Sequence, residues 1–298
     1  MKMLVTGATG FVGSRVCMVL ADQYGKDQII ALSSGKIEGI KTIPSLAYDF
    51  GENYLIENGC GDVEVMIHIG AFIPKTAKDA DDIKLTSENI KNTQKLLEAS
   101  LPKLTRLIYI STSDVYGNCD EVITENTKTI PETMYGWSKL YCEQMVIRHC
   151  NQNGLLYEIL RLGHVYGIGE EKYKKVMPVM VRNAIEGKDL NIYGDGKAIR
   201  SYIYIDDIAT AIVNSIELQT NEIINLVGNE PVSINTLAAI IQEFSERNIS
   251  IVHVPVDVKN INYIFDNTKM RRYLLQELVP LRIGLKREYD YMKRTIEP

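Results

Sequence analysis

Short apolar runs alternate with longer amphipathic stretches from Lys2 to Leu162, and that alternation predicts an α/β architecture. Lys2–Thr6 (KMLVT) has the length and apolar content of a buried strand. Residues 28–32, 46–50, 63–71, 107–110 and 155–162 repeat the pattern as the second to sixth strands. The run at 63–71 is nearly continuous in apolar residues, as in a strand covered on both faces of a parallel sheet. Residues 14–23, 83–100 and 140–150 carry the wider spacing of helices. Right-handed crossovers would stack these units into a doubly wound parallel sheet. Past Gly167 the pattern changes. It predicts a helix at 177–186, a short strand at Leu190–Tyr193, an alternating strand from Arg200 and a helix at 208–217. Ser233 reads as the N-cap of a helix reaching Glu246, and the tail at 269–295 is helical with a break at Pro280.

Composition narrows the function. The chain has 298 residues, 45% hydrophobic and 24% charged, with a net charge of -5 and no basic run, which argues against nucleic acid as a partner. Its 5 cysteines are odd in number and include no CxxC pair, so they read as reduced thiols of a cytoplasmic protein. The 4 histidines lack metal-ligand spacing, and no metal site is expected. The first apolar run passes straight into glycines, unlike a secretory signal, and no apolar run has the length of a membrane span.

Candidate chemistry lies at the ends of the strands. Gly7, Gly10 and Gly13 follow the first strand in a G-x-x-G-x-x-G spacing and open a helix, the order that presents backbone N–H groups to a pyrophosphate. At the tip of the second strand stand Ser33, Ser34 and Lys36, where an NAD enzyme would carry an acid for the ribose. Two hydroxyls and an ammonium suit a 2'-phosphate, so NADP is expected, with NAD as the alternative. Asp49 either contacts an adenine or caps a turn. His68 reads as a core histidine, and Gly70 and Ala71 leave space at the end of the fourth strand. Thr112 lies among hydroxyls that either reach a substrate oxygen or cap a turn. Tyr135 and Lys139 are four apart at the head of a helix and share one face. An ammonium beside a phenol favours the phenolate, which would let Tyr135 exchange a proton near neutral pH. Arg200 suits a bidentate grip on a phosphate.

Taken in order, these motifs resemble one family along essentially the whole chain. TGATGFVG from Thr6, Asp49-Phe50, HIGA from His68, STSDVYG from Ser111, YGWSK from Tyr135, RLGHVYG from Arg161, YGDG from Tyr193 and RSYIYIDD from Arg200 are similar to the extended short-chain dehydrogenase/reductases of nucleotide sugars, the NAD(P)-dependent epimerase/dehydratase family. The resemblance implies a Rossmann sheet with a smaller C-terminal substrate-binding lobe. It places the dinucleotide domain at 1–165 with a returning segment at about 199–227, and the lobe at 166–198 and 228–298. It implies Tyr135 as catalytic acid/base, Lys139 on the nicotinamide ribose and Thr112 on the reacting sugar oxygen. Gly7, Gly10, Phe11 and Val12 would line the pyrophosphate, Asp49 and Phe50 the adenine. Ser33, Ser34, Lys36, Gly70 and Ala71 complete the cofactor set, and Ile73, Asp114, His164, Arg200 and Tyr202 the substrate set.

Three departures shape the expected reaction. His164 stands where the family usually has an asparagine, a second arginine is missing near Asn262, and Ser33 replaces the usual acid. The first and third favour reduction of a 4-keto-6-deoxy nucleotide sugar. The alternatives are a 4-epimerase, or a 4,6-dehydratase using Asp114, with tightly bound NAD. A dinucleotide sensor without turnover is the reading from a different class. A homodimer through the helices at 83–100 and 140–150 is a further expectation from the family.

Overall fold

Alternate residues of the first strand enter two different cores: Met3 and Val5 pack into one, Leu4 into the other. A strand buried on both faces needs helices on both, and that requirement organises the molecule. The computed structural model describes residues 1–119, 121–173, 175–256 and 262–297. Among them the strands are β1 (Lys2–Thr6), β2 (Ile29–Ser33), β3 (Lys41–Pro44), β4 (Val63–His68), β5 (Arg106–Thr112), β6 (Leu156–Leu162), β7 (His164–Tyr166), β8 (Leu190–Tyr193), β9 (Ile199–Tyr204), β10 (Glu222–Leu226), β11 (Pro231–Ser233) and β12 (Ile251–Val254). The helices are α1 (Phe11–Tyr24), the short α2 (Tyr54–Glu57) and α3 (Ala77–Ala80), α4 (Ile83–Glu98), α5 (Met134–Asn153), α6 (Val176–Glu186), α7 (Ile205–Asn214), α8 (Ile234–Phe244), α9 (Thr268–Tyr273) and α10 (Leu281–Ile296).

Seven strands form one parallel sheet in the order β10-β6-β5-β4-β1-β2-β3. On one face α1 and α7 bury Val16, Cys17, Leu20, Ile208 and Ile212. On the other, α4 and α5 bury Leu96, Cys142, Val146 and Cys150, the last three at four-residue spacing along one helical stripe. Cys142 and Cys150 are thus core residues, and burial pushes the Cys150 thiol up to about 12. All five cysteines are free. The chain leaves β1 toward β2 and later crosses to β4 on the other side, so the sheet's switch point lies between β1 and β4. The remaining strands form two small sheets, β11-β9-β7 and β12-β8. They surround a separate core of Met177, Val181, Leu237, Ile241, Leu285 and Tyr289 from α6, α8 and α10. Among the described residues no helix is long and apolar enough to cross a membrane.

Two elements differ from the sequence reading. The third strand is Lys41–Pro44, not 46–50. Pro44 lacks an N–H to continue the ladder, and Leu46, Ala47 and Tyr48 all take left-handed backbone, with φ of 46°, 50° and 62°. The short apolar run at 46–50 marks a strained turn instead. The helix expected at 140–150 begins earlier, at Met134, because Thr133 caps it: the Gly136 N–H donates to the Thr133 hydroxyl at 3.1 Å. Tyr135 and Lys139 therefore sit inside the first two turns. Ser233 caps α8 as expected, accepting from the Thr236 N–H at 3.0 Å.

Candidate functional site

The glycine loop crosses the C-terminal end of β1. Gly7 has φ +64°, and its N–H donates to the Leu32 carbonyl at 3.2 Å. A Cβ on Gly13 would stand 2.2 Å from the Gly7 carbonyl oxygen, so the start of α1 rests directly on the loop. A Cβ on Gly10 would meet only that same oxygen, at 3.1 Å, which leaves the backbone at the head of α1 open to a close-approaching anionic group. Phe11 and Val12, in the first turn of α1, are half-buried.

Across the switch point the Thr6 hydroxyl accepts from the N–H groups of Ile69 and Gly70 at 3.1 and 2.9 Å, and lies 2.8 Å from His68 Nδ1. His68 Nε2 lies 3.1 Å from the Thr93 hydroxyl, so both ring nitrogens are partnered. Burial lowers the His68 pKa to about 3, and the nearby Lys139 charge adds to the shift. The space expected at Gly70 is taken. A Cβ there would stand 2.3 Å from the Tyr48 hydroxyl, which the left-handed turn at 46–48 delivers to this point. Gly70 is small to admit Tyr48. Ala71 is half-buried and Ile73 is 58% exposed.

At the tip of β2, Ser33 is buried and its hydroxyl lies 2.6 Å from the Thr9 hydroxyl. It faces the glycine loop, while Ser34 and Lys36 are exposed beyond it. Asp49 follows the turn and is exposed. Phe50 packs into the core against Tyr54, rings stacked 5.0 Å apart, and so presents little side chain to the crevice.

The structure brings Thr112, Asp114 and Tyr135 together. Thr112 ends β5, and its hydroxyl accepts from the Asp114 N–H at 3.2 Å. It also stands close enough to the Tyr135 hydroxyl to favour the phenolate. Asp114 is reached by solvent, yet desolvation by the surrounding walls raises its pKa, the signature of a carboxyl inside a cleft. The expected electrostatics of Tyr135 are reversed. Burial pushes its pKa well above the usual tyrosine range and the Asp114 charge pushes it further, while the nearby Thr112 hydroxyl opposes both. The Lys139 ammonium points elsewhere, donating to the Ile110 carbonyl at 2.7 Å and standing 4.3 Å over the Tyr109 ring. Burial lowers the Lys139 pKa to about 8, against the opposing charges of Cys142 and Glu143. Helix spacing gave the shared face of Tyr135 and Lys139, and burial decided the sign of the shift.

A second cluster faces this one. The His164 ring lies 5.9 Å from that of Tyr202 and 5.7 Å from that of Tyr263, and its buried Nδ1 has no hydrogen-bond partner among the described residues. Burial, then the charges of Arg200 and Lys175, lower the His164 pKa to about 3. Arg200 donates to the Ile199 carbonyl at 2.9 Å, with its guanidinium 5.0 Å over Tyr263. Burial raises the Tyr263 pKa and the Asp114 charge adds to it. Tyr263 stacks on Phe265, which meets Tyr116 of the β5 tip edge-on at 6.3 Å, so the two clusters are neighbours. At Asn262, where an arginine is missing, the side chain accepts from the Ile199 N–H at 3.0 Å.

Sequence reading missed Lys175 and Tyr263. Lys175 pairs with Glu170 at 2.8 Å and stands 5.9 Å over Phe11 of the glycine loop, a basic group at the seam between sheet and lobe. The three lysines around Tyr173, at 172, 174 and 175, were the available signal. Tyr263 lies in a stretch without motif, and only the bridge pairing it with Arg200 places it. Among the described residues no group of acids, histidines or cysteines is arranged for a metal.

Comparison with known proteins agrees with this geometry. A UDP-N-acetyl-alpha-D-glucosaminuronate decarboxylase of Bacillus cytotoxicus is 28% identical, the match covering 86% of this chain and 84% of the relative. The crystal structure of UDP-glucuronic acid 4-epimerase from Bacillus cereus with UDP-glucuronic acid and NAD superposes with a TM-score of 0.85 at 27% identity, covering 99% of this chain and 100% of that one. The UDP-glucose 4-epimerase of Thermotoga maritima with UDP-glucose gives 0.85 at 26% identity, with the same coverage. Residues 3–227 match the model of the NAD dependent epimerase/dehydratase family, and the chain belongs to that family.

Proposed function

We propose that this protein oxidises and re-reduces C4 of a nucleotide-linked sugar on a retained NAD, as a 4-epimerase. The observation that carries this reading is the placing of Thr112 beside the Tyr135 hydroxyl at the tip of β5, next to the His164–Tyr202–Tyr263 cluster. The relatives named above, with NAD in the Bacillus cereus structure, support it over the 4-ketoreductase that the sequence favoured. NAD is preferred to NADP because the Ser33 hydroxyl is engaged by Thr9, which leaves Ser34 and Lys36 as the groups facing a 2'-phosphate.

The cofactor fits the open backbone at Gly10, with Gly7, Phe11 and Val12 around it and Lys139 and Tyr135 at the far end of the same edge. When bound it would supply the hydride acceptor and donor. The Tyr135 oxygen exchanges a proton with the C4 oxygen, and Thr112 orients both. Arg200, His164 and Lys175 provide the positive and hydrogen-bonding groups for the diphosphate, and Tyr202, Tyr263 and Ile73 the apolar walls. Residues 1–165 with about 199–227 form the cofactor unit on this reading, and the rest the substrate unit. Homodimerisation through α4 and α5 belongs to it too, where Ile83, Trp137 and Tyr141 are exposed.

A specific observation favours one second reading. Asp114 stands in the cleft beside Tyr135 with a raised pKa, as a second acid suited to elimination would. The test is mass spectrometry of the purified protein, native and then denatured, followed by incubation with UDP-glucose and UDP-glucuronic acid. Retained NAD with a C4-inverted product supports the epimerase. Loss of water from the sugar selects the dehydratase. An empty protein that consumes NADPH overturns both in favour of the reductase.

A further inference from the structure

Behind the catalytic cluster runs a chain of buried polar groups whose role the reaction as drawn does not explain. Glu143 lies two helical turns past Tyr135 and one past Lys139, on the same face of α5, and is fully buried. The Ser111 hydroxyl donates to its Oε1 at 2.5 Å. Arg161, on β6, donates to the same oxygen at 3.0 Å and to Oε2 at 2.7 Å, a two-pronged grip. Arg161 also donates to the Tyr116 hydroxyl at 2.8 Å, and Tyr116 donates to Asn225 on β10 at 2.7 Å.

Each link is adjacent to a site residue. Ser111 precedes Thr112, Tyr116 follows Asp114 by two, and Arg161 precedes His164 by three. The chain therefore joins the tip of β5, the catalytic helix and the tip of β6 at one carboxylate. A burial this complete needs a full set of partners, and Glu143 has them. What faces Lys139 is then unequal in charge. From α5 come Glu143, Cys142 and Tyr135, from β4 the neutral His68, from β5 the Tyr109 ring and the Ile110 carbonyl, and Arg161 of β6 lies behind Glu143.

We propose that Glu143 is a positioning residue: pinned by Ser111 and Arg161, its carboxylate is the fixed counter-charge that keeps the buried Lys139 ammonium charged and aimed at the Ile110 carbonyl. The Lys139 pKa of about 8 is the balance of burial pulling down against Glu143 and Cys142 pulling up. Removing the Glu143 charge tips that balance and brings the ammonium's loss of its proton into the neutral range.

The proposal rests on Lys139 being a site residue, and its test does not depend on the substrate. The full-length protein is labelled with 13C-lysine, and the Lys139 resonance is identified by its loss in Lys139→Met. Its titration is then followed by NMR. In Glu143→Gln the midpoint should fall by roughly a unit from the wild-type value. Because that variant strands Arg161, Glu143→Gln/Arg161→Met is measured beside it; a neutral pair of similar volume keeps the packing. The same direction of shift is expected there. A Lys139 midpoint unchanged from wild type in a folded variant would overturn the proposal and reduce Glu143 to a structural ion pair. A failed epimerase assay with an intact shift would instead sink the substrate reading alone.

Discussion

The two walls of the crevice satisfy their polar atoms differently. On the wall of β5 and α5, Ser111, Glu143, Arg161 and Tyr116 find one another in the protein interior. On the wall of β7 and β9, His164 keeps a buried nitrogen without a partner among the described residues, its ring packed against those of Tyr202 and Tyr263. An unpaired buried polar atom costs stability. The carboxylate of Glu143 is fully partnered by folding although the Tyr109 hydroxyl and Asn225 Nδ2 near it are not, whereas the His164 nitrogen lies where a ligand can complete it. Orientation of the reacting groups needs rigidity, and recognition of a ligand needs an open valence.

The largest test of that contrast is Tyr135→Phe. It should lower kcat about a thousandfold and leave dinucleotide affinity unchanged, the size usual for a lost acid/base. Near wild-type turnover would move the chemistry to another group. Arg161→Met should destabilise by about 3 kcal/mol in urea unfolding, because Glu143 is left buried and unpaired. A loss below about 1 kcal/mol would show that the first wall is not held by this pair.

Stability against pH tests a third buried acid. Glu288 is fully buried, neither oxygen has a partner among the described residues, and burial raises its pKa to about 8, with Glu170 and Glu171 adding to the shift. The native state therefore holds a proton that the unfolded chain releases near the ordinary glutamate value of 4.5. That contribution is complete below 4.5 and is lost as pH rises through about 8. Glu158 carries the same sign despite its pairing with Arg106, so the measurement is a difference. Glu288→Gln should flatten the decline of Tm between pH 5 and 9 relative to wild type. Parallel curves would mean that Glu288 is ionised in the fold.

His164→Phe sharpens the contrast from the other wall. The ring contacts stay and the orphan nitrogen goes, so stability should hold or rise. KM for the nucleotide sugar should increase about tenfold, the worth of one lost hydrogen bond. The smallest effect belongs to Lys36→Ala, which should weaken NADPH by about threefold, as expected for one exposed charge, and leave NADH unchanged. Equal effects on both would remove Lys36 from the cofactor tip.

The sheet and the glycine loop were legible because spacing alone carries them. A strand, three glycines at fixed intervals and a helix have few other readings. The turn at 46–48 was not legible, since Leu46, Ala47 and Tyr48 form a short apolar run like that of a buried strand and only Pro44 warned of the break. The pairing of Tyr135 with Lys139 followed from helix geometry, but the direction of their pKa shifts depends on burial, which periodicity does not measure. Glu143 and Arg161 lie 18 residues apart on different elements, and only the fold shows that they meet. Lys175 and Tyr263 reach the crevice from loops, where sequence pattern says least about position.

Strand β10 closes the large sheet against β6 only after the chain has passed through α6, β8, β9 and α7. The edge of β6 stays unpaired until residue 226 exists, so the nascent chain carries an open strand for about a fifth of its length. Pairing across such a separation is slow, because loop closure precedes the contacts that reward it. A fragment ending near residue 165 would expose that edge permanently and is a poor candidate for separate expression. The order of synthesis thus makes the late strand, and not the motif-rich beginning, the step on which folding waits.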